Sequence, residues 1–325
     1  MLDIDDSEKD NFFKKPARTT ILKDYFDDLI LARKNVPINY NFDIENLFGF
    51  NNELLNFAKK YQEFESDFDK HARASIPFSY EESIILYYTI LKFLSDRNGG
   101  NILSIDAANG SLERVITKLS NGKINSLFTT ANKANIEIYN KKSEKNCIAV
   151  ECASKDILFY LKNDIELNKK FNRGFDVFLE LVGFQMYGIE RELPIKYFKQ
   201  VLNRNGIAIF FEKNTHEDKT EFLKRSRMKN ELFKTRFFNK KDIKEKEEEI
   251  LSVMDKNLVT LEELKKSILN NYNYISHIWN SVNFNIIIAS DDEESLREFI
   301  RLMPKSIIDE KFIFEDGLLK VTGRK

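Results

Sequence analysis

The amino-acid sequence predicts an α/β fold in which five parallel strands and a final antiparallel hairpin form one sheet, preceded by a helical N-terminal region. From residue 99 onward, short apolar runs alternate with amphipathic segments, which is typical of a parallel sheet with helices on both faces. The run 81–94 (EESIILYYTILKFL) is apolar on nearly every side and predicts a buried helix. The two last strand-like runs, 274–279 and 284–289, flank a short polar segment and therefore predict a hairpin.

Each remaining element follows from a local pattern of apolar and polar residues. The parallel strands are predicted at 102–106, 126–130, 148–152, 175–179 and 206–212. Helices are predicted at 111–119, 132–142 and 193–202, and in a segment that runs through residues 160 and 161. Thr260 and Glu263 form the S/T-x-x-E pattern of a capping box, which predicts a helix from there to about residue 269.

Composition divides the chain into segments. Residues 1–18 are polar without a pattern and are interpreted as a flexible tail, and 19–98 as an N-terminal helical cap region. The α/β domain is predicted to span 99–292, followed by a C-terminal helix and tail over 293–325. Residues 213–259 form a highly charged helical insertion in this domain. A connection of that length is either a lid over a site or a solvated helix that covers nothing, and the sequence leaves both open.

Composition also limits the classes of function. The 51 Lys and Arg residues balance 52 Asp and Glu residues, so no global charge attracts nucleic acid or an acidic membrane. Cys147 and Cys152 are too few for a disulfide framework or a metal site and are expected to be buried thiols. No stretch approaches the roughly 20 apolar residues of a membrane helix, and the acidic N-terminus lacks the features of a signal peptide. We therefore expect a cytoplasmic protein without a metal, a nucleic-acid partner or a membrane span.

Residues 102–112 read ILSIDAANGSL, and they contain the first predicted strand and the loop after it, where doubly wound sheets bind ligands. This run resembles motif I of the class I S-adenosylmethionine (SAM)-dependent methyltransferases, of which ILDIGCGNGSL is a common form. The segments 175–188, 233–239 and 279–284 are similar to the bacterial small-molecule members of that family, and the resemblance extends over roughly residues 70–305. It implies a Rossmann-like seven-stranded methyltransferase sheet and SAM as the cofactor.

Motif I departs from the family pattern at several positions. Ser104 takes the place of the acidic residue that orders the loop and the methionine end of the cofactor. Asp106 and Ala108 take the places of the first two glycines, and Gly110 keeps the third. Glycines there let the backbone approach the ligand, so the Asp106 side chain is expected either to occupy ligand space or to bind the cofactor's ammonium group from a new direction.

Two further cofactor positions depart from the family pattern. Thr130 ends the second strand, where the family carries an acid that holds the ribose hydroxyls, and Ala153 stands where an Asp faces the adenine amine. A hydrogen bond to a charged group contributes about 1.5–3 kcal/mol, so the loss of these anchors predicts a SAM affinity weaker than about 100 μM. Arg73 belongs to a segment that in the family enters the domain. It is expected to pair with a carboxylate, either the cofactor's or that of Asp106.

Four residues are candidates for a direct role in methyl transfer. Gln185 and Tyr187 follow the fourth strand, where the fold presents groups to the substrate, and they are predicted to orient a methyl acceptor. Glu180 is predicted to take the acceptor's proton, and His216, beyond the fifth strand, is a second candidate base. The alternatives are that Tyr187 packs against a helix, Glu180 forms an ion pair and His216 is a surface histidine. His277, on a strand of the hairpin, is expected to be a packed core histidine.

Two functions from different classes remain. The first is an active SAM-dependent methyltransferase that acts on a small molecule or metabolite with a rebuilt cofactor pocket. The second is a pseudo-methyltransferase that keeps the fold, no longer binds SAM, and serves a protein partner or a structural role. Gly110 favours the first function, whereas Ser104, Thr130 and Ala153 favour the second. A nucleic-acid methyltransferase is disfavoured, because the chain lacks both a basic charge balance and a base-flipping motif.

Overall fold

The computed structural model describes residues 22–324, so the predicted tail 1–18 lies outside the described residues. The helices that precede the sheet are α1 (Lys23–Ile30), α2 (Ile44–Phe48), α3 (Asn52–Gln62), α4 (Asp67–Ser75) and α5 (Ser79–Asp96). The first half of the α/β domain consists of β1 (Gly100–Ile105), α6 (Ser111–Leu119), β2 (Ile124–Thr130), α7 (Lys133–Lys141) and β3 (Cys147–Glu151). It continues with α8 (Ile157–Asn163), α9 (Ile165–Phe171), β4 (Phe175–Leu181), α10 (Glu192–Lys199) and β5 (Leu202–Lys213).

After β5 the chain forms the predicted helical insertion. It contains α11 (Lys219–Met228), α12 (Lys240–Lys246) and several shorter helical turns. The capping box of Thr260 and Glu263 then starts α13 (Leu261–Asn271), as predicted. The chain ends with β6 (Tyr274–Ser281), β7 (Phe284–Ser290), α14 (Glu293–Leu302) and β8 (Val321–Gly323).

One sheet contains these eight strands in the order β3-β2-β1-β4-β5-β7-β6-β8. Strands β1 to β5 run parallel, and β7 is antiparallel to both of its neighbours. The predicted arrangement of five parallel strands and a hairpin, the Rossmann-like methyltransferase sheet, is thereby confirmed. Chain order reverses between β1 and β4, and such a reversal opens a crevice beyond the carboxyl ends of the strands.

The C-terminal segment differs from the predicted helix and tail. Helix α14 forms, but Val321–Gly323 then pairs with β6 as an additional antiparallel strand. This pairing covers the edge of β6, which would otherwise present unpaired N–H and C=O groups. A strand of three residues carries too little alternation to be found from a sequence pattern.

Helices cover both faces of the sheet. On one face α5, α6 and α14 pack against the strands, and Phe93 and Ile102 belong to the same buried cluster. On the other face α8, α10 and α13 pack, and Phe178 and Phe198 belong to a second cluster. The run 81–94 is buried along most of α5, as its apolar composition predicts.

The cysteines and one histidine lie as predicted. Cys147 and Cys152 are buried free thiols. His277 is buried, and its Nε2 lies 3.0 Å from the carbonyl oxygen of Trp279. Over residues 22–324 no helix combines the length and apolar character needed to cross a membrane, and no group of His, Cys, Asp or Glu side chains is arranged to hold a metal ion.

Candidate functional site

A cavity of about 280 Å³ lies beyond the carboxyl ends of β1, β2, β4 and β5. Among the residues that line the cavity, Asp106 follows β1, Thr130 ends β2 and Gln185 follows β4. Helices α1 and α4 and residues from 229 to 255 of the insertion contribute the other walls. Residues from 229 to 255 of the charged insertion therefore form part of the cavity wall, and a role of the insertion as a lid stays a prediction.

The loop after β1 contains three residues with a positive φ angle, and two of them are not glycine. The φ angles of Asp106, Ala108 and Gly110 are +57°, +50° and +65°, in the left-handed region that residues other than glycine rarely adopt. At Gly110 a Cβ atom would lie 2.4 Å from the ring of Phe128, so only glycine fits there. Strained residues such as Asp106 and Ala108 are found mainly where a ligand binds or the chain moves.

The Asp106 side chain lies against the turn that follows β4. A Cβ atom on Gly183 would be 2.3 Å from Asp106 Oδ2, so the carboxylate fills the space that Gly183 leaves free. This Oδ2 atom is buried and has no hydrogen-bond partner among the described residues. Burial raises the pKa of Asp106 to about 6, while a hydrogen bond with Ser154 opposes the rise. The carboxylate is therefore mostly ionised at neutral pH and available to a cationic group.

The end of β2 presents amide groups to the cavity in place of an acid. Thr130 Oγ1 accepts a hydrogen bond from Asn135 Nδ2 at 3.0 Å. The oxygen of the same amide, Asn135 Oδ1, is buried and has no partner within the described part of the chain. Asn132 Nδ2 donates to Asp27 Oδ1 at 2.8 Å and so links α1 to this edge of the site. Asn135, held by Thr130, thus offers a hydrogen-bond acceptor close to the predicted ribose position.

The other predicted cofactor residues are divided between the cavity and the surrounding core. Arg73 lines the cavity from α4, and its buried Nε has no hydrogen-bond partner in residues 22–324. Ala108 lines the cavity as well. Ser104 is fully buried in β1, and neither Ser104 nor Ala153 lines the cavity. A cofactor contact at these two positions stays a prediction.

A buried polar network fastens the motif loop to α4. Ser66 and Asp69 form a capping box at the N-terminus of α4. Asn109 Nδ2 donates to Ser66 Oγ at 2.7 Å and to Asp69 Oδ2 at 3.0 Å. Ser111 Oγ donates to Asp69 Oδ1 at 3.1 Å. Asp69 and, from α6, Glu113 also line the cavity, so its motif end carries acidic side chains.

Of the two residues predicted to orient an acceptor, one reaches the cavity. Gln185 lines the cavity. Its Nε2 atom donates a hydrogen bond to the carbonyl oxygen of Val182 at 3.3 Å. Its Oε1 atom is buried and has no hydrogen-bond partner among the described residues. Val182 has a φ of +59°, which is rare for a β-branched residue, so the turn that presents Gln185 is strained. Tyr187 does not line the cavity, and its hydroxyl oxygen accepts the backbone N–H of Ser154 at 3.1 Å.

Neither predicted base lines the cavity. One carboxylate oxygen of Glu180 accepts the backbone N–H groups of Gly183 and Phe184. Burial and the neighbouring Glu212 raise the pKa of Glu180 well above its usual value. His216 Nδ1 accepts the backbone N–H of the residue two positions later, at the exposed start of α11. In this arrangement both side chains serve the local backbone, and their roles as bases stay predictions.

We did not predict the four lysines that line another part of the cavity. Lys213, Lys229, Lys234 and Lys246 are named the lysine cluster. The side chains of Lys229 and Lys234 are enclosed, with these residues 4% and 2% exposed. Lys213 Nζ pairs with Asp255 Oδ1 at 2.5 Å, whereas the other three have no ion-pair partner among the described residues. Among the described residues, the lysine cluster therefore forms one ion pair, that of Lys213 with Asp255.

Burial and mutual repulsion perturb the lysine cluster. Burial, followed by repulsion from neighbouring lysines, lowers the pKa of Lys229 well below its usual range and those of Lys234 and Lys246 to about 7. His71 Nδ1 lies 2.8 Å from the carbonyl oxygen of Asn35, so this nitrogen carries the proton. His71 Nε2 then accepts from Lys246 Nζ at 2.5 Å. Burial and the charge of Lys246 lower the pKa of His71 well below its usual value, so the imidazole is neutral.

Irregular helical geometry explains why the lysine cluster could not be read from the sequence. Lys229–Phe233 form a π-helical turn, Lys234–Arg236 a 3₁₀ turn, and Glu247–Leu251 a second π-helical turn after Lys246. Such turns change the number of residues per turn, so a period of 3.6 does not show which lysines face inward. The phenylalanines within 233–238 are the one sequence signal that this charged segment has a buried face.

The fold and the position of the cavity place the protein in the class of α/β proteins with a class I methyltransferase-type sheet. No family model matches the sequence, and no curated protein matches it. The plantazolicin methyltransferase BpumL, solved in complex with S-adenosylhomocysteine (SAH), is 12% identical over 84% of this chain and 100% of its own, with a TM-score of 0.43.

Two other solved structures are similar to the same extent. An O-methyltransferase family protein from Burkholderia thailandensis is 9% identical over 84% of this chain and 69% of its own, with a TM-score of 0.44. The CurJ carbon methyltransferase is 13% identical over 77% of this chain and 69% of its own, with a TM-score of 0.43. Similarities at this level concern the fold alone and do not assign a ligand or a reaction to this chain.

Proposed function

We propose that the protein is a SAM-dependent methyltransferase with a rebuilt cofactor pocket and a small-molecule acceptor. One observation carries this proposal: four residues that line the cavity each have a buried polar atom without a hydrogen-bond partner among the described residues. These atoms are Arg73 Nε, Asp106 Oδ2, Asn135 Oδ1 and Gln185 Oε1. Buried polar groups are normally hydrogen-bonded, so unsatisfied atoms in a cavity wall indicate a polar ligand.

Three of the four atoms, those of Arg73, Asp106 and Asn135, match chemical groups of SAM. Its methionine end carries an ammonium group, for which Asp106 offers a carboxylate, and a carboxylate group, for which Arg73 offers an N–H donor. Its ribose hydroxyls require hydrogen-bond acceptors, and Asn135 Oδ1 is one. These contacts compensate for anchors that the sequence lacks. We therefore expect a dissociation constant of about 1–100 μM, tighter than the value above 100 μM that the missing anchors alone predict.

SAM supplies an electrophilic methyl group, so the protein has to hold both reactants and exclude water. The cavity volume of about 280 Å³ lies just below the range of about 300–1,000 Å³ for small-molecule sites, so an acceptor that shares the cavity with the cofactor has to be small. Helix α1 and the insertion enclose the cavity from the side opposite the sheet. Gln185 Oε1, on the turn after β4, would accept a hydrogen bond from the acceptor and so orient it.

A pseudo-methyltransferase is the second candidate function. Ser104 and Ala153 do not line the cavity, and neither predicted base, Glu180 or His216, lines it. These observations favour a protein that has kept the fold without the transfer reaction. In that case the protein would serve a protein partner or bind a different ligand in the cavity.

Isothermal titration calorimetry of the full chain with SAH tests the proposed function. We expect a single site with a dissociation constant of about 1–100 μM. The substitutions Arg73→Met and Asn135→Ala should each weaken binding about fivefold or more, because each removes one of the unsatisfied groups. Lys244→Met, at a side chain that is 75% exposed, is the matched control and should bind as the wild type does. No binding at about 1 mM SAH would reject the methyltransferase and support the pseudo-methyltransferase.

A further inference from the structure

The lysine cluster carries positive charge that the described residues neutralise only in part. Three of its amino groups have no ion-pair partner there, and the carboxylate of Asp255 is already bound to Lys213. Glu247 is another carboxylate that attracts Lys229 and Lys234, but it is an exposed residue. This part of the cavity is therefore positively charged.

No contact among the described residues explains why the amino groups of Lys229 and Lys234 are buried. Lys229 Nζ lies 5.9 Å from the ring centroid of Phe284, and Lys234 Nζ lies 5.9 Å from that of Phe238. Aromatic faces compensate only weakly for the loss of water around an ammonium group. A methionine at either position would fill the same space without a buried charge. A partner of negative charge in the cavity would favour the protonated form of both lysines, which burial disfavours.

An anion in the cavity supplies that partner. In a site with little water, the attraction between an ammonium group and an anion is strong. Lysine presents a compact charge with three rotatable donors, which suits the oxygens of a phosphate or a carboxylate. Because three amino groups are unpaired, an anion with two or more negative charges balances them best. Such an anion would also keep Lys234 and Lys246 protonated at neutral pH, where their pKa values of about 7 leave them partly neutral.

The lysine cluster and the proposed cofactor contacts come from different parts of the fold. The four lysines belong to the end of β5 and to the insertion, whereas Asp106 and Asn135 follow β1 and β2. The proposed cofactor contacts therefore line one part of the cavity, and the lysine cluster lines another. An anion at the lysine cluster is thus assigned to the second reactant.

We infer that the lysine cluster binds a dianionic group, either a phosphate or a pair of carboxylates, which is carried by the methyl acceptor. The assignment to the acceptor rests on the proposed function, but anion binding itself does not. The substrate class is therefore a small phosphorylated compound or a small dicarboxylate.

Calorimetry with two anions tests this inference on the full chain at low salt and about pH 6.5, below the pKa values of about 7 of Lys234 and Lys246. Pyrophosphate represents the phosphate class, and malonate represents the dicarboxylate class. We expect one of them to bind with a dissociation constant below about 1 mM. The double substitution Lys229→Met/Lys234→Met should weaken this binding about tenfold or more, whereas Lys244→Met should leave it unchanged.

The outcomes separate the inference from the proposed function. Pyrophosphate binding without malonate binding assigns a phosphorylated acceptor, and the reverse assigns a dicarboxylate. Binding of neither anion at about 10 mM, or equal binding by a folded double variant, overturns the inference. If the double variant loses SAH affinity while its circular dichroism is unchanged, the lysines bind the cofactor and the acceptor assignment is wrong. If the wild type binds pyrophosphate but not SAH, the anion site stands and the proposed function fails.

Discussion

The carboxylate of Asp106 lies so close to Gly183 that a Cβ atom on Gly183 would be 2.3 Å from Asp106 Oδ2. Gly183 has a φ of −88° and a right-handed backbone, so its conformation would suit any residue and only space requires a glycine. The loop after β1 carries the aspartate, and the facing turn has the glycine that makes room for it. The two loops fit each other, which supports Asp106 as a built part of the pocket.

The substitution Gly183→Ala should reduce the free energy of unfolding by about 1–3 kcal/mol, because the added methyl group displaces the Asp106 carboxylate. Gly188→Ala is the matched control, since its nearest neighbour would be 3.9 Å away. Urea unfolding measures both. In an Asp106→Gly background the loss from Gly183→Ala should shrink, and an equal loss in both backgrounds would show that the two residues do not interact.

SAH affinity should rise with pH as Asp106 ionises. Its pKa of about 6 leaves the carboxyl mostly protonated at pH 5 and mostly ionised at pH 7. Because only the ionised form attracts the ligand's ammonium group, affinity should increase up to about tenfold over this interval and then level off. Calorimetry across the interval measures the profile. Asp106→Asn should abolish the rise, and an unchanged profile in that variant would assign the titration to another group.

Lys234→Met should make the protein more stable at pH 7 by about 2–4 kcal/mol, because burial and repulsion from Lys246 lower the pKa of Lys234 to about 7. The unfolded chain binds more protons than the folded one between this value and the usual lysine pKa, so wild-type stability should rise with pH across that window. The advantage of the variant should accordingly diminish towards about pH 10.5. The urea concentration at the midpoint of unfolding, measured for the wild type and the variant at pH 7 and at about pH 10.5, tests this prediction. A variant less stable than the wild type at pH 7 would refute the view that the charge is uncompensated.

Arg191→Met should reduce the free energy of unfolding by about 3–5 kcal/mol, because it leaves Glu212 as a buried unpaired charge. Arg191 Nε and Glu212 Oε1 are 2.7 Å apart, and both side chains are almost fully enclosed. The double variant Arg191→Met/Glu212→Leu should recover most of the loss, since it removes both charges. Thermal or urea unfolding provides the comparison. A loss below about 1 kcal/mol in the single variant would mean that the pair is already screened by water.

Local patterns were sufficient to predict the elements of the sheet. The bounds of α6, Ser111–Leu119, agree with the prediction at both ends, because Gly110 and the apolar spacing mark its start and its extent. The hairpin of β6 and β7 and the capping box at Thr260 also follow from neighbouring residues. The helix, the hairpin and the capping box each depend on residues a few positions apart, and a single sequence displays such patterns directly.

The features that depend on distant residues were not predictable. Strand β8 pairs with residues of β6 that lie 45 to 49 positions earlier in the chain. The lysine cluster depends on π-helical turns that shift the inward face of the insertion. Glu180 has the expected place at the end of β4, but its carboxylate turns to the backbone of the next turn rather than to the cavity. The sequence therefore predicts where a site lies in the fold better than which side chains line it.

The most direct test of the rebuilt pocket compares SAH binding by the wild type and by Asp106→Gly. If the carboxylate holds the ligand's ammonium group, the glycine variant should bind SAH at least about tenfold more weakly, although it also relieves the strained backbone at this position. A glycine variant that binds SAH more tightly than the wild type would show that the carboxylate obstructs the pocket, and it would contradict the proposal that the pocket has been rebuilt around Asp106.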